Sequence, residues 1–397
     1  MEIYVLDANY EPVALIDEAD SILWDKKYND IGECEIYTPC NEDMLALLKK
    51  GNYLFRYDDD MFCKIEKVEI ETNEEEGDYI IATATDIFNV LAGRVVRWQI
   101  VHSGTVAAFI KKVLTDNVIN PAQRQRAIPN FEIDTSNFAE LTDTLEISVL
   151  GDDIAQLIMT TCKTYNYGFR LSYNIQTRKL VFRLYKGKDK ATMESDEYVE
   201  FSPQFANILS SNYVEDDSNY KNVAYVAYNN EAGETALLSY FEGDTEPQGE
   251  ARREVYVDGT STSRNITKEE LLAIFPTATH SGTTYPYYIT VNGETIIVAK
   301  SEGAGENEKI TVTDYTYLLL IRRLAQNTLA ERVKTQEFEG SVDTLDTYVY
   351  KNDYDLGDIV KVVNEYGIEA QAQIVSIIES EDNEDGYIVE PTFEYMR

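Results

Sequence analysis

Histidine is nearly missing from this chain: His102 and His280 are the only two in 397 residues. Imidazole is the commonest general acid–base group and a favoured transition-metal ligand, so the scarcity weakens both classes of chemistry together. Cysteine is also sparse. Cys34, Cys40, Cys63 and Cys162 include no CxxC pair, and Cys34 and Cys162 fall on apolar faces. Buried, reduced thiols are expected, as in a chain assembled in a bacterial cytoplasm. Positive charge is short, with 35 Lys and Arg against 71 Asp and Glu and a net charge of −36. Binding nucleic acid or an anionic membrane needs a basic footprint, which this composition lacks. No stretch approaches the ~20 apolar residues of a membrane helix. The opening Met1-Glu2-Ile3-Tyr4-Val5 enters a strand directly, so neither a membrane span nor a secretory signal is expected. GxSxG, HExxH, Walker-type and dinucleotide-binding patterns are all absent, and Gly303-Ala304-Gly305 lacks the strand-to-helix context of a phosphate loop.

What is present suits a large, soluble, strand-rich protein. The chain is 44% hydrophobic and 27% charged, with 29 tyrosines. Its length allows roughly two to four domains. The segment Ser21–Pro39 reads as a hairpin. Ile22, Leu23 and Trp24 form an apolar strand, Lys26 to Asp30 a polar turn, and Glu33 to Tyr37 alternate polar and apolar, the period-2 pattern of a half-buried strand. Around it, residues 1–98 read as strands, interrupted by a short helix capped by Asn41 and ended by Gly51. A small barrel fits this meander.

The period changes over 99–205. Ser103 is placed to cap a helix with the face Val106, Phe109, Ile110, Val113 and Leu114. Asp152 is placed to cap a second, with Ile154, Leu157, Ile158, Thr161 and Tyr165 on one side and Gly168 at its end. A hairpin follows, Phe169, Leu171 and Tyr173 answering Leu180, Phe182 and Leu184. The Val- and Tyr-rich strand 220–228 comes next, within a stretch, 206–230, expected to complete a barrel. Residues 231–335 read as an insertion, loose in composition to about 311 and ending in a helix near 313–333. Strands at 358–363, 367–379 and 387–395, within 336–397, read as a second barrel. The expected fold class is α+β, mostly β: two small β-barrel domains with α+β insertions.

The candidate chemistry has plainer readings throughout. Asp152 and Asp153 resemble a glycosidase pair but stand at a helix start. The acidic turns Asp58-Asp59-Asp60 and 382–386 lack the ligand spacing of a calcium loop and are expected to be solvated hairpin tips. His102 beside Ser103 suggests a base and nucleophile, yet adjacent residues rarely present both side chains to each other. No catalytic, cofactor-binding or metal-ligating residue is therefore assigned.

Four segments together resemble the tail-tip, or baseplate, hub proteins of siphophages, the N-terminal hub region of the tail-associated lysins. They are Leu23-Trp24…Tyr28-Asn29…Gly32-Glu33…Glu35; Leu91-Ala-Gly93-Arg94-Val-Val-Arg97; Tyr220-Lys-Asn-Val-Ala-Tyr-Val226 with Arg252-Arg253-Glu254-Val-Tyr-Val-Asp258; and Tyr354-Asp-Leu-Gly357-Asp358-Ile-Val360 with Glu379 and the strand through Tyr387. Residues 260–310 match least. The resemblance implies a homotrimer whose two barrels per chain form a pseudo-sixfold ring, adapting a sixfold tail tube to a threefold tip. It implies contacts with the distal tail ring protein, the tape measure protein and other tip or receptor-binding proteins. It also implies a channel closed until DNA ejection, and a place in the virion at the tail tip. Longer relatives append a hydrolase or carbohydrate-binding module, and none is expected before Arg397. A negative surface suits a conduit that passes DNA without holding it, and serves solubility alone equally well. Two other readings stay open: a peptidoglycan hydrolase within 231–311, where His280 is the one histidine, and a receptor-binding protein that uses the Tyr-rich insertion on host glycans.

Overall fold

The computed structural model describes the chain except residues 17–18, 74–76, 193–196, 206, 281–285, 292, 303–307, 343–347, 365, 368, 384–385 and 396–397. The Gly303-Ala304-Gly305 segment and part of the acidic turn at 382–386 fall outside the described residues.

The first strands are β1 (Ile3–Leu6), β2 (Pro12–Ile16), β3 (Ser21–Lys27), β4 (Glu33–Pro39), β5 (Tyr53–Phe55), β6 (Phe62–Asn73) and β7 (Gly77–Asp86), with helix α1 (Glu42–Leu47) between β4 and β5. Alternation along β3 buries Ile22, Trp24 and Lys26 on one face. Antiparallel register sets Trp24 opposite Cys34 and Ile22 opposite Ile36, over a core that includes Val5, Leu54, Ile65 and Ile80. The Asn41 side chain caps α1 by accepting from the Met44 amide. The polar turn read at Lys26 starts later than expected, because β3 runs through Lys27.

The next unit contains β8 (Ile100–Thr105), α2 (Val106–Leu114), β9 (Phe131–Asp134), β10 (Thr144–Val149), α3 (Ile154–Tyr165), β11 (Gly168–Asn174) and β12 (Lys179–Tyr185). Both helix faces are buried as the periodicity requires, except that Tyr165 is only half-buried, and Phe169, Leu171 and Tyr173 face Leu184, Phe182 and Leu180 across the hairpin. The caps differ from the sequence reading. Thr105, not Ser103, caps α2, because Ser103 still lies in β8, opposite Glu146. Asp153 caps α3, because the Asp152 carboxylate turns back to the Leu150 amide at 2.9 Å. Asn166, at φ 54°, ends α3, and Gly168 already belongs to β11.

After the short β13 (Glu200–Phe201) and the longer β14 (Ile208–Asp216), the strands β15 (Val223–Asn229), β16 (Thr235–Phe241) and β17 (Glu254–Asp258) form a three-stranded sheet. A five-stranded sheet follows, made of β18 (Asn265–Ile266), β19 (Thr279–His280), β20 (Tyr287–Val291), β21 (Glu294–Glu302) and β22 (Lys309–Val312), with α4 (Lys268–Ile274) inserted and α5 (Asp314–Ala330) after it. The stretch that reads as loose in composition thus carries regular elements, and its Leu271 and Val298 share a core with Val226, Tyr317 and Ile321.

The last strands are β23 (Thr335–Val342), β24 (Ile359–Val363), β25 (Glu369–Asp382) and β26 (Gly386–Tyr395). They join the first strands in one 13-stranded sheet ordered β14-β23-β26-β25-β3-β4-β7-β6-β5-β1-β2, with β24 and β13 attached beside β25. The fold is α+β and mostly β. Among the described residues, no ladder closes either end of the chain into a separate barrel. The reason is the length of β25, which has 14 residues. One edge pairs with β24 through residues 369–373 and then with β3 through 376–382, while β26 takes the other edge.

Candidate functional site

The densest polar arrangement lies where β3 meets β25, and its centre is the Asp58-Asp59-Asp60 turn. The Asp59 side chain is fully buried. Its Oδ2 accepts from Lys26 Nζ and from Lys351 Nζ, each at 2.9 Å. Its Oδ1 accepts from Trp24 Nε1 at 3.2 Å and from the Met61 amide at 2.9 Å. Lys26 Nζ also stands 2.9 Å from Asp60 Oδ1, and Asp60 pairs further with Arg170 and Arg183. Arg170, itself buried, donates to Asp86 Oδ2 and to the Lys27 carbonyl, each at 3.0 Å. On the other side, Arg56 holds Asp58 through two nitrogens and donates to Glu379 Oε2 at 3.1 Å. Its guanidinium lies 5.4 Å from the centre of the Trp24 ring.

The solvated-tip reading is therefore overturned at Asp59 and Asp60, whereas Asp58 remains exposed while it bonds Arg56. The turn packs under β25 and the 170–183 hairpin, where an unpaired carboxylate would be very costly. Lys26, Arg56, Arg170, Arg183 and Lys351 balance Asp58, Asp59, Asp60, Asp86 and Glu379. Burial by itself would raise the Asp59 carboxyl, but Lys26 and Lys351 outweigh it and hold the group below the usual carboxylate range. Asp60 is lowered in the same way, against burial, by Lys26 and Arg170. At Asp86 burial wins over Arg170 and the carboxyl is raised. Every carboxylate faces a cation, so the cluster presents no nucleophile or base to a substrate. What it can do is fix six segments of the chain to one another.

Lys26, Arg56, Arg170 and Lys351 escape a reading of the sequence. A signal for Lys26 was available: it continues the Ile22–Trp24 alternation, so period 2 places it on the buried face. For the others, no local pattern reveals partners so far away in sequence.

The histidines are not brought to catalytic geometry. His102 Nε2 lies 3.1 Å from the Thr105 carbonyl oxygen, and burial lowers its basicity. Its neighbour Ser103 donates to Glu146 at 3.4 Å instead. His280 Nε2 is 2.9 Å from Ser301 Oγ and 3.9 Å from Glu308 Oε1. Both contacts fall on the same ring nitrogen. A relay needs the carboxylate on one nitrogen and the hydroxyl on the other, so this trio does not form one. Asp152 and Asp153 both spend oxygens on backbone amides. Cys34, Cys63 and Cys162 are buried free thiols, pushed up by burial and so kept from the reactive thiolate form.

The four sequence segments behind the hub resemblance lie at junctions. Trp24 sits opposite Glu379 across β3 and β25. The Asp153 carboxylate that caps α3 also accepts from the Gly93 amide at 2.6 Å. Tyr225 and Tyr256, from the two parts of the third segment, are partners on parallel strands.

No curated protein sequence matches the chain. Solved structures similar to it include the tail protein from Neisseria meningitidis MC58, at 12% identity over 99% of this chain and 96% of that one, with TM-score 0.49. Prophage tail protein gp18 from Listeria monocytogenes EGD-e has 14% identity over 99% and 94%, with TM-score 0.45. The 43 kDa tail protein of prophage MuSo2 from Shewanella oneidensis has 10% identity over 99% and 98%, with TM-score 0.48. The family description "Siphovirus ReqiPepy6 Gp37-like protein" fits residues 2–393, nearly the whole sequence. The chain belongs to this siphovirus protein family.

Proposed function

We propose that the chain is a structural hub of the phage tail tip: a homotrimeric ring that adapts the sixfold tail to a threefold tip and closes the channel before DNA ejection. The observation that carries this reading is the junction of β3 with β25, locked by the Asp59 cluster, which makes one unit of the two ends of the chain. A part that transmits load between a tube and a tip gains from such a lock, because strain at one end reaches the other without a hinge. Three chains, each presenting two strand-rich halves of that joined sheet, would offer six related surfaces for docking on a sixfold tube.

The division at residues 98, 205, 230 and 335 belongs to this proposal. The distal tail ring protein and the tape measure protein are its partners, and the role is non-enzymatic. Light scattering across a salt series, with and without the distal tail ring protein, tests it. Self-repulsion at −36 per chain opposes assembly and salt screens it, so trimer should grow with salt or with the partner. A stable dimer, or a monomer indifferent to both, would overturn the reading. Release of muropeptides from host cell walls, abolished by His280→Ala, would overturn the non-enzymatic part.

A further inference from the structure

A separate feature lies where the α+β unit meets the insertion and goes beyond the hub reading. Trp98 is one of two tryptophans and is 66% exposed. It lines a groove of about 1060 Å³ between the α+β unit and the insertion, together with Arg97, Asn265, Lys268, Glu269 and Glu308. Arg97 packs its guanidinium 5.0 Å from the indole centre.

The walls are held in place. Gln99 accepts from the Ser263 amide at 3.1 Å and donates to Ser148 at 3.3 Å, tying the segment next to Trp98 to both sides. Thr267 and Glu270 form a reciprocal cap that fixes the start of α4, and Glu270 also accepts from the Val101 amide at 3.3 Å. Glu308 Oε1 is oriented by the Tyr287 hydroxyl at 3.1 Å. The groove is slightly larger than the ~300–1,000 Å³ of most small-molecule sites.

Charge selects the occupant. The chain is −36 overall, yet in this groove Arg97, Lys268 and Lys309 stand against Glu269, Glu270 and Glu308. Such a locally balanced surface attracts neither a polyanion nor a polycation. It offers a flat aromatic face ringed by hydrogen-bonding groups of both kinds, which matches a ligand with an apolar C–H face and hydroxyls at its rim. We propose that the Trp98 groove binds a neutral oligosaccharide, with the indole stacking on a sugar ring and Glu308, Asn265 and Lys268 taking its hydroxyls.

The test titrates the intact protein with chitohexaose, maltohexaose and isomaltohexaose, and with a hyaluronan hexasaccharide as the anionic probe. Trp24 is buried, so the change in tryptophan fluorescence reports Trp98. At least one neutral probe should bind saturably with a Kd of about 0.1–1 mM. Isothermal titration calorimetry, which needs no indole, reads the variants: binding should weaken about tenfold or more in Trp98→Ala, weaken in Glu308→Gln, and persist in Trp24→Phe, with melting curves confirming that each variant folds. The proposal fails if no neutral probe binds, if Trp98→Ala leaves binding unchanged, or if hyaluronan binds as well as the neutral probes. It also fails if Trp98→Ala abolishes self-association of the free protein, which would make the groove an interface between copies.

Discussion

The ring of Tyr28 presses on Gly357 so closely that a Cβ at that glycine would fall 2.2 Å from Tyr28 Cε2. Gly357 also has φ +94°, in the left-handed region. From a third segment, Gly187 approaches until its own Cβ would lie 1.8 Å from the Gly357 carbonyl oxygen. The Tyr28 hydroxyl closes the contact, accepting from the Gly187 amide and donating to the Asn166 carbonyl, each at 3.2 Å. This meeting of three segments sits beside the Asp59 cluster and serves the same junction.

Gly357→Ala should destabilise the protein by about 2–5 kcal/mol, since it adds backbone strain to a clash with a ring that has no room to move. Gly367 has a positive φ of 74°, but nothing lies within 4 Å of its would-be Cβ. Gly367→Ala should therefore cost only the backbone term of about 1–2 kcal/mol. Urea denaturation of the two variants separates strain from crowding. Equal midpoints would show that the Tyr28 contact carries no weight.

Asp59→Ala should cost about 3–5 kcal/mol, because it strands buried Lys26 beside Arg170 with one carboxylate fewer. Neutralising an exposed acidic turn would cost almost nothing, so a melting curve distinguishes the lock from a solvated tip.

Trp24→Ala should cost about 3–5 kcal/mol through the cavity it leaves. Trp24→Phe keeps most of the packing and removes only the indole donor to Asp59, a loss of about 1 kcal/mol. If both substitutions cost the same, the hydrogen bond and not the packing dominates.

The pH dependence follows from opposite shifts within one cluster. Asp59 and Asp60 are lowered in the folded state. Their contribution is present above the unfolded carboxylate pKa of ~3.9 and is lost only as pH falls through the lower folded values. Asp86 is raised, so its contribution is present below ~3.9 and is lost as pH rises through its folded pKa. Asp59→Asn should flatten the acid limb of melting temperature against pH, and Asp86→Asn should steepen it. An unchanged acid limb in Asp59→Asn would mean that the Lys26 and Lys351 pairs do not persist in solution.

The helix faces on α2 and α3 were legible because 3.6-residue periodicity is local, and a hydrophobic stripe must be buried wherever the helix docks. The Trp24 hairpin and the meander up to Asp86 were legible for the same reason at period 2. The caps were misplaced by one or two residues because Ser, Thr and Asp compete for the same role, and only the register of the preceding strand decides which is left at the end.

The sequence alone determined the class of the protein. Its periods set a mostly-β, α+β chain, and four spaced segments pointed to a siphovirus protein family. The tertiary structure decided what its acids are for. Whether Asp59 is a wet turn or a buried lock depends on Lys26, Lys351 and Trp24 arriving at one point, and Lys351 comes from the opposite end of the chain. Pairing of β3 with β25 brings it there. A carboxylate reads the same in any sequence, and its role depends on the water and the cations around it, which only the folded chain arranges.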